Sequence, residues 1–217
     1  MERNSYHSIA KMKYEDTKPI EFVDMGYRKE EEAGDKDSTE ASTPALRTRS
    51  SSTSNKISIK ANQAPYNYVT RTQAISLAEG FATKQGYKSK TKLVSSYAWD
   101  TTIAFLQKVN SDYGNSSEEG NYSNTTFSYK DITGARQTKA SGSWVLVPTG
   151  QTTPVCNIYD MGGNVWEWTT EFSSQPNWPC TIRGGYYGNG FDSSVGCRYN
   201  DSDSAYDKGG FRLTLFM

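Results

Sequence analysis

The chain is poor in the residues that most enzymes and metal sites use. It has one histidine, His7, and three cysteines, Cys156, Cys180 and Cys197, among 217 residues. Because His7 lies in a polar N-terminal stretch, neither a Ser-His-Asp or Cys-His arrangement nor a multi-histidine metal centre is expected. The cysteines are odd in number and lack Cys-x-x-Cys spacing, which argues against a zinc site or a full disulfide framework. One bridge, such as Cys156 to Cys180, and three reduced thiols both stay open.

Long apolar runs and an excess of one charge are also missing. No stretch approaches 18 uninterrupted apolar residues, so we expect no transmembrane span. Residues 1–16 are polar and charged, without the apolar segment of a signal peptide, and the compartment therefore stays unknown. Lys plus Arg equals Asp plus Glu at 24 each, giving net charge 0. This balance argues against nucleic acid or an anionic membrane surface as a partner.

Large rings are abundant instead. The chain holds 15 Tyr, 8 Phe and 5 Trp with 18 Gly, although apolar residues make up only 35%. This composition predicts a loop-rich α+β domain whose small core is filled by aromatic side chains. We divide the chain into an N-terminal segment 1–27 with a possible edge strand at 20–25, a polar Ser/Thr- and charge-rich loop or linker 28–56, and a folded domain 57–217.

Two helices are predicted in the first half of this domain. Thr70-Arg-Thr-Gln73 has the form of a capping box, and Gly86 would end the helix that follows. Ser95 or Ser96 would cap the second helix. Helical spacing relates Ile75, Ala78, Phe81 and Ala82 in the first helix and Trp99, Ile103, Leu106 and Val109 in the second. Both stripes are expected to face the core.

The second half of the domain predicts short strands among loops. Residues 113–143 suggest irregular loops with at most one hairpin, in which only Phe127 and Ile132 look buried. Residues 144–147 form an apolar run that predicts a buried strand. Further strands are expected at 165–170, 181–185 and 211–216. In the first of these, period-two alternation would place Trp166 and Trp168 on one face and Glu167 on the other.

Three motifs in this half carry a family resemblance. They are Tyr159-Asp-Met-Gly-Gly-Asn-Val-Trp-Glu-Trp168, Arg183-Gly-Gly185 and Gly210-Phe-Arg212. In this order they resemble the formylglycine-generating enzyme family, whose domain is also called the sulfatase-modifying factor domain. Residues 65–70, 74–79 and 95–100 resemble the helical half of bacterial members. The similarity runs from about residue 55 to the C-terminus, and more weakly from about residue 20.

The resemblance implies a fold and a scaffold. The fold is C-type lectin-like, with two helices beside short, twisted antiparallel sheets and many loops. The residues expected to hold it together are Trp166, Trp168, Arg183, Gly184, Gly185, Phe211 and Arg212. For the last arginine, we expect a carboxylate partner such as Glu167 or Asp160, since a buried guanidinium needs a counter-charge.

The resemblance also implies an activity that this sequence does not match. Active members bind copper(I) with two cysteines between the second and third motifs and oxidise a substrate cysteine to formylglycine. Spacing places those positions near Asn189 and Ser194, and neither is a cysteine. Cys197 alone cannot supply a linear two-thiolate site. We therefore predict a non-catalytic member without copper, and an active copper-dependent oxidase is the alternative.

A structural calcium ion is the inorganic ligand that the resemblance leaves open. Family members hold calcium with oxygens around the Gly-Asn-x-Trp-Glu element, which here corresponds to Gly163, Asn164, Val165 and Glu167. The alternative is that the asparagine satisfies a turn and the glutamate pairs with an arginine.

The C-terminal loops suggest binding instead of catalysis. Tyrosine mixed with Ser, Asn and Gly is typical of adaptable binding surfaces, because rigid rings give contact area at low entropic cost. The predicted ligand-binding residues are Tyr186, Tyr187, Asn189, Asp192, Tyr199, Asn200, Asp201 and Tyr206, with the four tyrosines as anchors. In the C-type lectin-like fold, variable proteins of diversity-generating retroelements place their diversified positions in a comparable region. We predict a protein or glycan ligand, and ordinary exposed loops are the alternative.

Overall fold

The computed structural model describes residues 34–35, 57–110, 113, 119–150, 154–190 and 193–216. The predicted edge strand at 20–25 lies outside these residues. The described elements are β1 (Gly34–Asp35), β2 (Ile57–Ser58), α1 (Arg71–Lys84), β3 (Lys90–Leu93), α2 (Ser96–Val109), β4 (Phe127–Lys130), β5 (Arg136–Lys139), β6 (Trp166–Phe172), β7 (Cys180–Arg183), β8 (Arg198–Asp201), β9 (Gly209–Phe211) and β10 (Leu213–Phe216). Two helices with short strands confirm the predicted fold class.

The largest sheet has four strands in the order β8-β7-β6-β9. Strand β6 pairs antiparallel with β7 but parallel with β9, so this sheet is mixed where only antiparallel pairing was expected. The parallel pair arises because the chain passes through β7 and β8 before returning beside β6 in the same direction. The other pairs, β10 with β3, β4 with β5 and β1 with β2, are antiparallel.

Helix α1 begins as the capping box predicts. The Thr70 hydroxyl accepts a hydrogen bond from the Gln73 amide at 3.1 Å, and the Gln73 side chain accepts one from the Thr70 amide at 3.0 Å. Two orphan N–H groups at the helix start are thereby satisfied. The helix ends before Gly86, which has a φ of 70° that favours glycine.

Helix α2 is capped by Ser95, whose hydroxyl accepts from the Ala98 amide at 3.1 Å. Trp99, Ile103 and Leu106 are buried as the stripe predicts. Val109, expected on the same stripe, is 50% exposed. It lies in the last turn, where the packed part of the helix has ended.

Two apolar clusters form the core. The first joins α1 to the sheets and includes Tyr66, Leu77, Phe81, Leu93, Trp166, Trp168, Ile182 and Phe211. The second is built on α2 and comprises Val94, Trp99, Ile103, Leu106, Tyr113, Ile158, Met161 and Val195. Large rings fill both clusters, as the composition predicts.

The strand predicted at 144–147 does not form. Leu146 and Val147 are buried, but Trp144 is 65% exposed. The Asn164 side chain accepts from the Val147 amide and donates to its carbonyl, both at 3.0 Å. A side chain therefore satisfies the backbone of this run in place of a neighbouring strand.

Other local departures lie in polar sequence. Strands β1, β2, β3 and β8 were not predicted, and β1 lies within the segment that we interpreted as a loop or linker. The hairpin of β4 and β5 confirms the one allowed for residues 113–143. Phe127 and Ile132 are only partly buried there, while Tyr122 and Lys139 are buried. The lysine ammonium donates to the carbonyls of Tyr122 and Thr125 at 2.6 and 2.7 Å, so backbone oxygens replace water around its charge.

The strand predicted at 211–216 is two strands. Gly209–Phe211 joins β6, and Leu213–Phe216 joins β3 in another sheet. Arg212 lies between them and is 1% exposed. The change of sheet at this arginine leads into the centre of the candidate site.

Candidate ligand-binding site

Successive side chains of β6 point to opposite faces of the sheet. Trp166 and Trp168 belong to the first cluster, and the Trp168 indole donates to the Val69 carbonyl at 2.9 Å. Glu167 points to the opposite face and is 1% exposed. The predicted division of this strand between apolar and polar surroundings is therefore what the structure has.

Glu167 is paired with Arg212. Arg212 Nε and Nη2 donate to the two carboxylate oxygens at 2.5 and 2.7 Å. Its remaining donors reach the carbonyls of Asp160 at 2.7 Å and Tyr159 at 3.2 Å, and its guanidinium carbon lies 5.3 Å from the centre of the Trp99 ring. A buried bidentate pair with further hydrogen bonds compensates the desolvation of both charges.

The motif Arg183-Gly-Gly185 is packed just as closely. Arg183 is opposite Glu167 in the β6–β7 register and forms an ion pair with Asp100 on α2. Gly185 has a φ of 77°, and a Cβ there would lie 2.3 Å from the Ser193 carbonyl oxygen. Gly184, with a φ of 85°, has Trp99 close beside it. These positions require glycine, because a side chain would be strained and would collide.

The residues predicted to hold calcium are engaged with protein groups. Both Glu167 oxygens accept from Arg212, and the Asn164 amide oxygen accepts from Asn121 and Val147. Calcium would have to displace these donors, so the side-chain oxygens do not fit an ion in this arrangement. Within the described ranges, no three His, Cys, Asp or Glu side chains are grouped to hold a metal.

None of the three cysteines, which all lie in the described part of the chain, forms a disulfide. Cys156 is exposed, Cys180 is buried and Cys197 is partly buried. Cys180 lies opposite Asp201, while the Cys197 carbonyl accepts from Gly184 just beyond the other end of the same ladder. At about 3.3 Å per residue, this places the two residues more than about 10 Å apart along the strands.

Three of the four predicted anchor tyrosines form one aromatic row on Trp166. The Tyr186 and Tyr199 ring centres lie 6.5 and 6.1 Å from the Trp166 ring, each tilted by 34°. The Tyr187 ring meets Tyr186 edge-on at 5.3 Å. Tyr199 is 62% exposed, and the other two tyrosines are partly buried. We call these three tyrosines, with the Lys208 ammonium that lies 4.6 Å above the Tyr186 ring, the tyrosine surface.

The fourth tyrosine serves the scaffold. The Tyr206 ring meets Trp168 edge-on at 5.9 Å, and its hydroxyl donates to Asp201 at 2.7 Å. Burial, followed by the nearby charge of Asp201, raises the pKa of Tyr206. Asp203 accepts from the Thr72 amide and hydroxyl at the start of α1. These contacts hold the loop between β8 and β9 against the sheet and the helix.

The other residues predicted to bind a ligand include one that supports the tyrosine surface and one that lies within a strand. The Asn189 side chain accepts from the Tyr186 amide at 3.0 Å, so it shapes the turn that presents the tyrosines. Asn200 lies in β8, opposite Thr181. Asp192 lies outside the described residues. Lys208 and the supporting role of Trp166 were not predicted, although Lys208 directly precedes the glycines of β9 and so lies beside Trp166 in the register.

The chain belongs to the family of sulfatase-modifying factor enzyme 1-like domains, because the model of this FGE-sulfatase family matches residues 20–215. The match begins where the weaker part of the resemblance does. A search of the curated proteins found no match. Neither helix in the described part of the chain is long and apolar enough to cross a membrane.

Several solved structures are similar. The chain matches the crystal structure of CarF with a TM-score of 0.51 and 17% identity, covering 70% of this chain and 67% of that one. It matches PvdO from Pseudomonas aeruginosa with a TM-score of 0.49 and 19% identity, covering 71% and 64%. Treponema denticola variable protein 1 gives a TM-score of 0.44 and 15% identity, covering 73% and 72%. The similarity to CarF shows a common fold, and no functional conclusion is drawn from these structures.

Proposed function

We propose that this domain is a non-catalytic member of its family that binds a protein or glycan ligand through the tyrosine surface. The observation that carries the proposal is the aromatic row itself. Three tyrosines lie together at the surface over a buried tryptophan, and one of them is 62% exposed. An exposed ring that continues through a buried tryptophan into two partly buried rings favours a contact site over an ordinary solvated loop.

The surroundings of the row make it rigid. The turn at Tyr186 is held by Asn189, whose carbonyl accepts from the amide and hydroxyl of Ser123, both at 2.8 Å. The Tyr187 amide donates to the Asn164 carbonyl at 3.0 Å. Rings that are fixed before binding lose little conformational entropy in the complex.

The chemistry of the row suits a mixed ligand. Tyrosine offers an apolar ring and a polar hydroxyl, and the Lys208 ammonium lies 3.3 Å from the Tyr186 hydroxyl. Cys180 and Cys197 lie at opposite ends of one strand ladder, which supports a binding role, because a copper(I) site needs two thiolates together. Copper(I) titration with a Cys-x-Pro-x-Arg peptide should therefore give neither tight binding nor an aldehyde.

A paired substitution tests the site. The domain is presented to a glycan array and to a displayed peptide library, and every ligand obtained is measured again with Tyr186→Ala/Tyr199→Ala. We expect binding to be lost while the melting temperature changes little. The matched control is Tyr87→Ala/Tyr97→Ala, which removes two tyrosines that are 54% and 73% exposed elsewhere. If the control abolishes binding and the first variant does not, the site lies elsewhere.

Calcium at Gly163, Asn164, Val165 and Glu167 remains a separate proposal. Its support is the family motif alone, since the side-chain oxygens bond to other groups. A rise in melting temperature with calcium that is reversed by a chelator would support it, and no rise would count against it.

A further inference from the structure

Strand β8 is the outer strand of the four-stranded sheet. It pairs with β7 on one side, and the sheet order places no other described strand beside it. The Gly184 amide donates to the Cys197 carbonyl, which fixes the alternation of the ladder. From that pair onward, the backbone groups of Tyr199 and Asp201 point toward β7, and those of Arg198 and Asn200 point away from the sheet.

The two faces of β8 differ in chemistry. Tyr199 lies on the face of the first cluster, beside Trp166, and Asp201 is on the same face, bonded to Tyr206. Arg198 lies on the other face and pairs with Glu171. The side chains of a strand added to this edge would point alternately toward the tyrosine surface and toward this polar face.

We propose that the ligand of the tyrosine surface is an extended peptide segment of a partner protein, added to β8 as a fifth strand. This inference rests on the proposed function and decides between its two ligand classes. Backbone bonds to Arg198 and Asn200 would give affinity, and side-chain contacts along the tyrosine surface would give specificity.

The peptide's own pattern follows from the ladder. Positions opposite Tyr199 and Asp201 are non-hydrogen-bonded pairs, in which the Cα atoms approach to about 4.5 Å and side chains meet closely. An apolar or aromatic residue fits opposite Tyr199. The peptide residue two positions further along lies on the same face, opposite Asp201. Lys or Arg fits there, because exposed Asp203 adds a second carboxylate nearby.

A second copy of this chain fits the edge less well. In a symmetric antiparallel pairing, residues opposite each other must lie on the same face. Arg198 and Asp201 lie on different faces, so they could never be opposite each other across such a pair. In a symmetric pair, Asp201 would face Tyr199 or Asp201 itself, and neither is a cation, whereas a partner strand can place Lys or Arg opposite it.

Proline at one edge position tests the inference. The Asn200 N–H points outward, so Asn200→Pro removes a donor of the edge without removing a bond to β7. Asn200→Ser is the matched control, because it changes the side chain and keeps the N–H. The probe is a displayed library of random peptides about ten residues long, selected on the full chain.

We expect enriched peptides to carry Lys or Arg two positions from an apolar residue. Their Kd should rise about tenfold or more with Asn200→Pro and little with Asn200→Ser, since a lost hydrogen bond is combined with a steric clash. Amide exchange gives a second measurement. Peptide should slow exchange at Arg198 and Asn200 and leave Tyr199, already bonded to β7, unchanged.

Other results separate this inference from the proposed function. If peptides bind Asn200→Pro as well as Asn200→Ser but lose affinity with Tyr186→Ala/Tyr199→Ala, strand addition is wrong and the tyrosine surface stands. Glycan binding through the tyrosines without any peptide has the same meaning. If Asn200→Pro does not fold, unchanged exchange at Arg198 and Asn200 with peptide overturns the inference. Ligands insensitive to all these variants overturn both proposals.

Discussion

The family motifs and the tyrosine surface lie side by side on one sheet, yet they are built in opposite ways. Motif residues such as Glu167, Arg183 and Arg212 are at most 4% exposed and bond mainly to one another or to α2. The tyrosine surface stands on Trp166 and reaches 62% exposure at Tyr199. The motifs that identify the family therefore stabilise the scaffold, and it is the less regular sequence between them that we propose as the binding surface.

The two regions should differ most in how much stability is lost when a charged side chain is removed. Glu167→Ala leaves the Arg212 guanidinium buried without a counter-charge, and we expect a loss of about 3–5 kcal/mol in the free energy of unfolding. Glu171→Ala breaks the Arg198 pair, in which the arginine side chain is 49% exposed, and should cost about 1 kcal/mol or less. Urea unfolding measures both. Equal losses would contradict the contrast.

Glycine substitutions sharpen the same contrast at the backbone. Gly185→Ala combines a φ of 77° with a Cβ only 2.3 Å from the Ser193 carbonyl oxygen, and should cost roughly 2–5 kcal/mol. Gly134 in the β4–β5 turn has a φ of 86° with nothing within 4 Å of a Cβ. Gly134→Ala should therefore cost about 1–2 kcal/mol, from the backbone alone. A cost for Gly185→Ala no greater than this would show that the contact relaxes.

Removing single hydroxyls distinguishes the two kinds of tyrosine. Tyr206→Phe deletes the bond to Asp201 in the loop over the sheet and should cost about 1 kcal/mol. Tyr199→Phe changes an exposed ring and should leave stability within about 0.5 kcal/mol. Thermal unfolding of both variants measures the difference. If Tyr199→Phe is the more destabilising, Tyr199 belongs to the scaffold and the tyrosine surface must be redrawn.

The sequence predicted what depends on local pattern. The capping box at Thr70, the cap at Ser95 and the alternation around Glu167 could be read because each depends on neighbours within four residues. The strand expected at 144–147 failed because its partner is the Asn164 side chain, distant in sequence. Nothing local shows that such an amide will replace a strand.

The candidate site was predictable in composition but not in roles. Tyrosine content indicated a binding surface, yet it could not separate Tyr206, fixed by Asp201, from the exposed Tyr199. That separation depends on how the loop between β8 and β9 folds back over the sheet. The parallel pairing of β6 with β9 was not predictable for the same reason, since it depends on a long connection that brings the chain back beside β6.

The smallest expected effect concerns Tyr187, which lies between the two regions. Burial, followed by the charge of Asp207, raises the pKa of its phenol to about 12, and the hydroxyl donates to that carboxylate at 3.3 Å. An unfolded tyrosine titrates near pH 10. The raised pKa means that this contribution to stability is present below about pH 10 and is lost as pH rises through about 12. Ultraviolet titration of tyrosinate should show a late step near pH 12 that Tyr187→Phe removes. If the variant instead loses an early step, the Asp207 contact does not hold in solution, and Tyr187 is as open to solvent as a tyrosine of the unfolded chain.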